Sequence, residues 1–237
     1  MNLEKIRDIF GEALKNKSDL KIKLIGDSIT HGVGGSGWEQ CGPVIVEGWS
    51  ESPNSYCWAT LFRDYMKQQY GAHVSNKACT GTTIDFVMEN FSTLVESDDD
   101  LIVCTIGTNN RHKYFKDGEK PSYSDFLASL YEKIERMYGM FLKTGIPTVF
   151  VANIPASAKN EEDGAEYWRI LHMSDINDSY KRLAREYGAP VLSLYDLFLD
   201  YCNENDLTVD ELLCDGLHPN DRGYKVIFDL LVNAFGV

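Results

Sequence analysis

Three residue types that lie far apart in the chain can do one piece of chemistry together. Ser28 closes the turn Gly26-Asp27-Ser28, and Asp215 and His218 share the short run Asp215-Gly216-Leu217-His218-Pro219. A serine hydroxyl is a poor nucleophile at its free pKa and needs an adjacent base. An imidazole can take that proton and return it to a leaving group. A carboxylate three residues before the histidine can reach the far ring nitrogen, hold one tautomer and stabilise the cation. The backbone N–H groups of Ser28 and Gly81, with the side-chain amide of Asn109, would supply donors for the oxyanion formed when an acyl carbonyl is attacked.

Such a set works only if the fold brings its members together, so the elements that carry them matter next. Lys21 to Ile25 has Ile22, Leu24 and Ile25 and reads as a strand that stops at Gly26-Asp27-Ser28. Leu101 to Ile106 is a continuous apolar run, as expected of a central parallel strand covered on both faces, and it ends at Gly107-Thr108-Asn109-Asn110. Ala72 to Lys77 is a weaker strand leading into Ala78-Cys79-Thr80-Gly81-Thr82-Thr83, and Thr148 to Ala152 and Pro190 to Leu194 complete a set of five.

Apolar residues at helical spacing predict helices over Asn54–Tyr70, Ile84–Phe91, Ser122–Lys143, Tyr167–Tyr187 and Asp221–Phe235. Thr208-Val209-Asp210-Glu211 has the form of a capping box for a short one. Met1 to Lys17 reads as an amphipathic helix. Strands alternating with helices imply an α/β fold: a three-layer α/β/α sandwich with a five-stranded parallel sheet, flavodoxin-like, with right-handed crossovers. In such a sheet the turns after the strands lie along one carboxyl edge, where they can meet. The expectation is one domain over residues 1–237, with the helix of residues 1–18 packed on it.

These blocks resemble the SGNH (GDSL) hydrolase family, whose marks are a serine in a Gly-Asp-Ser block, a glycine, an asparagine in a Gly-x-Asn-Asp block and a histidine in an Asp-x-x-His-Pro block. They fall here on Ser28, Gly81, Asn109 and His218, with Asp215 as the triad acid, and they span Leu24 to Pro219. The resemblance implies Ser28, Asp215 and His218 as catalytic residues and Ser28, Gly81 and Asn109 as the oxyanion hole. One block departs from the pattern: Gly107-Thr108-Asn109-Asn110 has Asn110 where the family has aspartate, which implies altered hydrogen bonding behind the reacting groups. The serine is not in a G-x-S-x-G elbow, which argues against the α/β-hydrolase fold.

The remaining sequence narrows the class. A formal charge of −13 argues against nucleic acid as a partner, because binding phosphates takes clustered Lys and Arg. The one basic run, Arg111-His112-Lys113 with Lys116, reads as a solvated loop or as a patch that contacts substrate. The six cysteines show no metal or redox spacing, and neither a metal nor a cofactor is expected. They read as mostly buried thiols. The amino-terminal segment is too polar for a signal peptide or a membrane span, so the cytoplasm is the default location.

The Gly-rich segment Gly32 to Pro53 carries Trp38 and Trp49 and is expected to wall a pocket beside Ser28. Asp27, Trp38, Trp49, Asn110 and His112 are the candidate substrate-binding residues; His31 is read as a loop residue, and His73 and His172 as structural or surface residues. The expected substrate is a small-molecule or carbohydrate acyl ester. Lipid acylhydrolase or thioesterase activity is the alternative, and a non-catalytic carbohydrate-binding protein the alternative of another class.

Overall fold

Side chains alternate between the two faces of a strand, so a run that is apolar throughout must be covered on both sides. The computed structural model, which describes residues 3–16, 19–38 and 55–237, follows that rule. The strands are β1 (Lys21–Gly26), β2 (His73–Asn76), β3 (Leu101–Thr105), β4 (His112–Tyr114), β5 (Thr148–Ala152), β6 (Tyr167–Arg169) and β7 (Val191–Ser193). Five of them form one parallel sheet in the order β2-β1-β3-β5-β7, and β4 and β6 pair antiparallel as a separate ribbon.

The helices are α1 (Leu3–Asn16), α2 (Ser28–His31), α3 (Trp58–Tyr70), α4 (Ile84–Glu89), α5 (Phe91–Leu94), α6 (Tyr123–Thr144), α7 (Met173–Tyr187), α8 (Leu194–Glu204) and α9 (Asp221–Phe235). On one face of the sheet Leu24, Val103 and Val151 pack against α1, α3, α8 and α9 through Phe10, Phe62, Phe198 and Phe235. On the other face Ile25, Cys104 and Phe150 pack against α4, α6 and α7 through Val87, Ile134 and Ile176. This is the three-layer sandwich. No helix among the described residues is long and apolar enough to cross a membrane.

The strand order fixes where a site can form. The chain leaves β1 for β2 on one side and then returns past β1 to β3 on the other, so the winding reverses between β1 and β3. In open parallel sheets the crevice at that reversal, beyond the carboxyl ends of the strands, is where ligands sit. Ser28 follows β1 and Asn109 follows β3, which puts both at that crevice.

Three elements differ from the expectation. Tyr167 to Tyr187 is not one helix: Tyr167–Arg169 is strand β6 in register with β4, and α7 begins at Met173. The Arg111 carbonyl accepts hydrogen bonds from the N–H groups of Ile170 and Leu171, at 2.9 and 3.0 Å, and holds that run extended. Helix α8 was not expected; it buries Leu194, Phe198 and Cys202 at four-residue spacing. The helix expected from Asn54 begins at Trp58. Of Gly32 to Pro53 only residues 32–38 are described, so Trp49 and Cys41 lie outside the described residues. Cys57, Cys79, Cys104 and Cys202 are buried, and Cys214 is exposed.

Helix α1 docks through Phe10, which stacks on Phe235 with ring centroids 4.2 Å apart and is fully buried. Replacing it with alanine removes a buried ring, so Phe10→Ala is expected to lower the unfolding free energy by about 3–5 kcal/mol in a urea titration. A loss below about 1 kcal/mol would show that α1 is not part of the core.

Candidate active site

The turn after β1 is rigid because its acid is buried. Asp27 is fully buried and caps α2, accepting from Ile29 N–H at 3.1 Å through one oxygen and from Asn153 Nδ2 at 3.1 Å through the other. Asn153, at the end of β5, also donates to Thr108 Oγ1 at 2.8 Å. The three central strand ends are thereby tied together under Ser28. Burial pushes the Asp27 carboxyl above the ordinary range, against the pull of its hydrogen bonds. Expected as a substrate contact, Asp27 instead has no exposed surface and positions the serine's turn from below.

Next to this turn, Asn109 sits in the 3₁₀ turn Thr108–Arg111 and donates one Nδ2 hydrogen to the Thr82 carbonyl at 2.9 Å. An amide nitrogen has two hydrogens, so the second is left for a ligand and its direction is set by the first. Gly81, next to Thr82, has φ of +80°, and a Cβ there would meet nothing within 4 Å. Backbone conformation, not space, is what calls for glycine at this position. Among the described residues neither Ser28 N–H nor Gly81 N–H has a hydrogen-bond partner.

The third piece arrives from the far end of the chain. Leu213 and Pro219 form a bridge, Cys214 N–H donates to the His218 carbonyl at 2.8 Å, and the turn between them is closed by Asp215. Asp215 Oδ1 accepts from the N–H groups of Leu217 and His218 at 3.0 and 2.8 Å, while Oδ2 lies 2.7 Å from His218 Nδ1. His218 Nε2 lies 2.8 Å from Ser28 Oγ. With Nδ1–H donated to the carboxylate, Nε2 carries the lone pair that accepts from the serine hydroxyl. Burial raises the Asp215 carboxyl, but the bonds from His218 and Leu217 outweigh it and hold the group below the usual carboxylate range. The segment after α2 is in turn tied to α9: Tyr224 donates to the Val33 carbonyl at 2.6 Å, and Ser36 N–H to Asp221 at 2.7 Å. An alcohol, an imidazole and a carboxylate in series, beside three free donors, is an arrangement able to attack a carbonyl.

A family model, the GDSL-like Lipase/Acylhydrolase family, matches residues 24–226. The chain belongs to this family. Membership makes it a hydrolase of carboxylic esters. Solved structures of similar fold include an acetylxylan esterase from Geobacillus stearothermophilus, at 17% identity with a TM-score of 0.65, covering 92% of this chain and 94% of that one. Another is a lipase/acylhydrolase from Enterococcus faecalis, at 20% identity with a TM-score of 0.63, covering 90% and 94%. No curated protein matches the chain.

The departure from the GDSL pattern has a local reason. Asn110 is buried, its Oδ1 accepts from Ile84 N–H at 2.9 Å, and its Nδ2 faces Asp85 Oδ2 at 3.4 Å. A carboxylate could accept the first bond but would repel Asp85, so the amide suits this member of the family.

The other expected pocket residues are divided. Asn110 and His112 line a cavity of about 340 Å³ that begins at Gly81 and Asn109, whereas Ser28, Asp215 and His218 do not line it. Trp38 meets His31 edge-on at 6.1 Å and lies outside that cavity. His31 is not a loop residue: it is buried in α2 and bonds to Thr80 Oγ1 at 3.0 Å.

Two residues that hold the site are not given that role by the sequence. Asn153 ends β5 as Ser28 ends β1, so the same strand-end rule applied to β5 would have found it. Arg111, read as part of a solvated loop or substrate patch, is fully buried. It pairs with Glu161 at 2.7 Å and with Asn160 Oδ1 at 3.1 Å. The turn it holds also carries Ser157, whose N–H donates to the Gly216 carbonyl at 2.8 Å, so Arg111 links the Asn109 turn to the His218 turn. Removing one member of a buried pair leaves an uncompensated charge. Arg111→Met is expected to cost about 3–5 kcal/mol in denaturant unfolding, and Arg111→Met with Glu161→Met to recover most of it. Additive losses in the double variant would contradict the pairing.

Proposed function

We propose that the protein is a serine esterase that removes a short acyl group, in the simplest case acetyl, from a carbohydrate. The observation that carries the reading is the unbroken relay from Ser28 Oγ through His218 to Asp215, with contacts of 2.8 and 2.7 Å. In the first half-reaction Ser28 Oγ bonds to the ester carbonyl carbon while its proton passes to His218 Nε2. Asp215 stabilises the imidazolium, and the Ser28 N–H, Gly81 N–H and Asn109 Nδ2 receive the oxyanion. Collapse breaks the ester C–O bond, and His218 gives its proton to the departing alcohol oxygen. In the second half-reaction His218 takes a proton from water, whose oxygen attacks the acyl-serine, and Ser28 leaves reprotonated with release of the carboxylic acid.

The carbohydrate part of the reading is supported by the name of the similar acetylxylan esterase structure and by Trp38, whose ring lies beside His31 and so near the Thr80-Gly81 turn. Indole presents a broad apolar face with a polar edge, suited to a sugar ring.

Ser28→Ala is expected to abolish hydrolysis of p-nitrophenyl acetate, and retained turnover would contradict the mechanism. Asn109→Ala should lower kcat by roughly a hundred- to a thousandfold, the scale of one oxyanion donor, with a smaller change in KM. Across a series of p-nitrophenyl esters, kcat/KM should fall steeply beyond butyryl. A maximum at octanoyl would instead support a lipid substrate. Because Asp215 stays ionised below the usual carboxylate range, acidification should remove activity through one ionisation, so log kcat/KM should fall with unit slope on the acid side. A slope of two would mean that the carboxylate protonates along with the imidazole.

A further inference from the structure

The cavity of about 340 Å³ that opens at Gly81 and Asn109 is larger than a short acyl group needs. An acetyl group requires room for one methyl. If the acyl part is small, whatever fills this space belongs to the alcohol, and its chemistry can be read from the walls.

Those walls set charged and hydrogen-bonding groups beside the apolar Phe126 and Leu130, a mixture that suits a sugar ring, with its hydroxyl edge and C–H faces, better than a hydrocarbon chain alone. Lys133 Nζ and Asp85 Oδ2 pair at 2.8 Å, both partly exposed, and both line the cavity with Lys113. A carboxylate accepts and an ammonium donates, the two complements a sugar hydroxyl can satisfy at once. An alkyl chain would have to desolvate the same charges with no hydrogen bond in return. Tyr114, also on the wall, is 43% exposed and packs edge-on to His112 at 5.2 Å, leaving an amphipathic ring beside the polar groups.

His112 has a defined role in this wall. Its Nδ1 lies 3.4 Å from Arg169, and a guanidinium only donates, so Nδ1 accepts and the ring proton sits on Nε2. Burial, followed by the charges of Arg169 and Arg111, pushes its pKa down to about 4, so it is a neutral donor at ordinary pH. It offers a hydrogen bond without a charge.

We propose that this cavity is the subsite for a sugar ring of the ester's alcohol part, with Asp85 and Lys133 exchanging hydrogen bonds with its hydroxyls, His112 donating to a ring oxygen, and Tyr114 covering one face. The proposal rests on the serine-esterase reading above. Gly81 and Asn109 belong both to the proposed oxyanion site and to the cavity lining, so a substrate held at Ser28 meets the cavity at that pair.

The test compares wild type, His112→Ala, His112→Gln and Tyr114→Ala on p-nitrophenyl acetate, p-nitrophenyl octanoate, and chemically acetylated xylotriose, cellotriose and chitotriose. For at least one acetylated sugar, the ratio of its kcat/KM to that of p-nitrophenyl acetate should fall about tenfold in His112→Ala and in Tyr114→Ala, chiefly through KM. His112→Gln, which keeps a neutral donor, should restore part of it. An unchanged ratio for every sugar, in a wild type that hydrolyses p-nitrophenyl acetate through Ser28, overturns the subsite and leaves the esterase reading standing. A drop confined to the octanoyl ester overturns it in favour of an acyl site. A wild type that hydrolyses none of these esters defeats the underlying reading itself, and the subsite with it.

Discussion

The interaction on which the structure turns is the hydrogen bond between Ser28 Oγ and His218 Nε2, which joins residues 190 apart in sequence. Closing a loop of that length costs entropy only slowly with length, so the expense lies less in bringing the two turns together than in holding them at 2.8 Å. Each turn is held in place by contacts of its own. The serine turn is held by a buried carboxylate capping a single helical turn, and the histidine turn by the Leu213–Pro219 bridge and the Asp215 ring of hydrogen bonds.

Beneath that contact lies a polar layer that an apolar core would not need. Asp27, Asn153 and Thr108 connect the ends of β1, β5 and β3, and Arg111 with Glu161 connects the asparagine turn to the turn that touches Gly216. Burying such groups is costly unless every partner is present, and satisfied networks of this kind confer directionality that dispersion forces lack. Gly216 shows how closely the pieces fit, since a Cβ there would collide with the Ser157 hydroxyl. The hydrophobic layers on either side of the sheet set the strands in register. The polar layer then aims what the strand ends carry.

Much of this was legible in the sequence, and the limits follow from what a linear pattern encodes. Strand β5 and helix α9 begin and end where expected, because the Thr-Val-Phe-Val-Ala run after Pro147 and an Asn220 cap are local signals. The GDSL blocks at Ser28 and His218 were legible for the same reason: strand-end turns carry their chemistry in adjacent residues. Strand β6 was not, because the aromatic run that begins at Tyr167 has helical and extended readings, and the decision comes from its partner β4 and the Arg111 carbonyl. Arg111 looked like a surface cation because burial and a carboxylate fifty residues away leave no trace in its own neighbourhood. Asp27 misled for the opposite reason: its position beside the serine suggested ligand contact, while its oxygens are turned inward to Ile29 and Asn153.

The proposed chemistry requires that His218 activate Ser28 at the carboxyl edge of the sheet. Labelling with a fluorophosphonate probe, with the adduct located by mass spectrometry, tests it most directly, since the reagent captures an activated serine and leaves ordinary hydroxyls unmodified. A single adduct on Ser28 is expected in the wild-type chain and none in His218→Ala. An adduct on another residue, or labelling of Ser28 that persists without the imidazole, would contradict it.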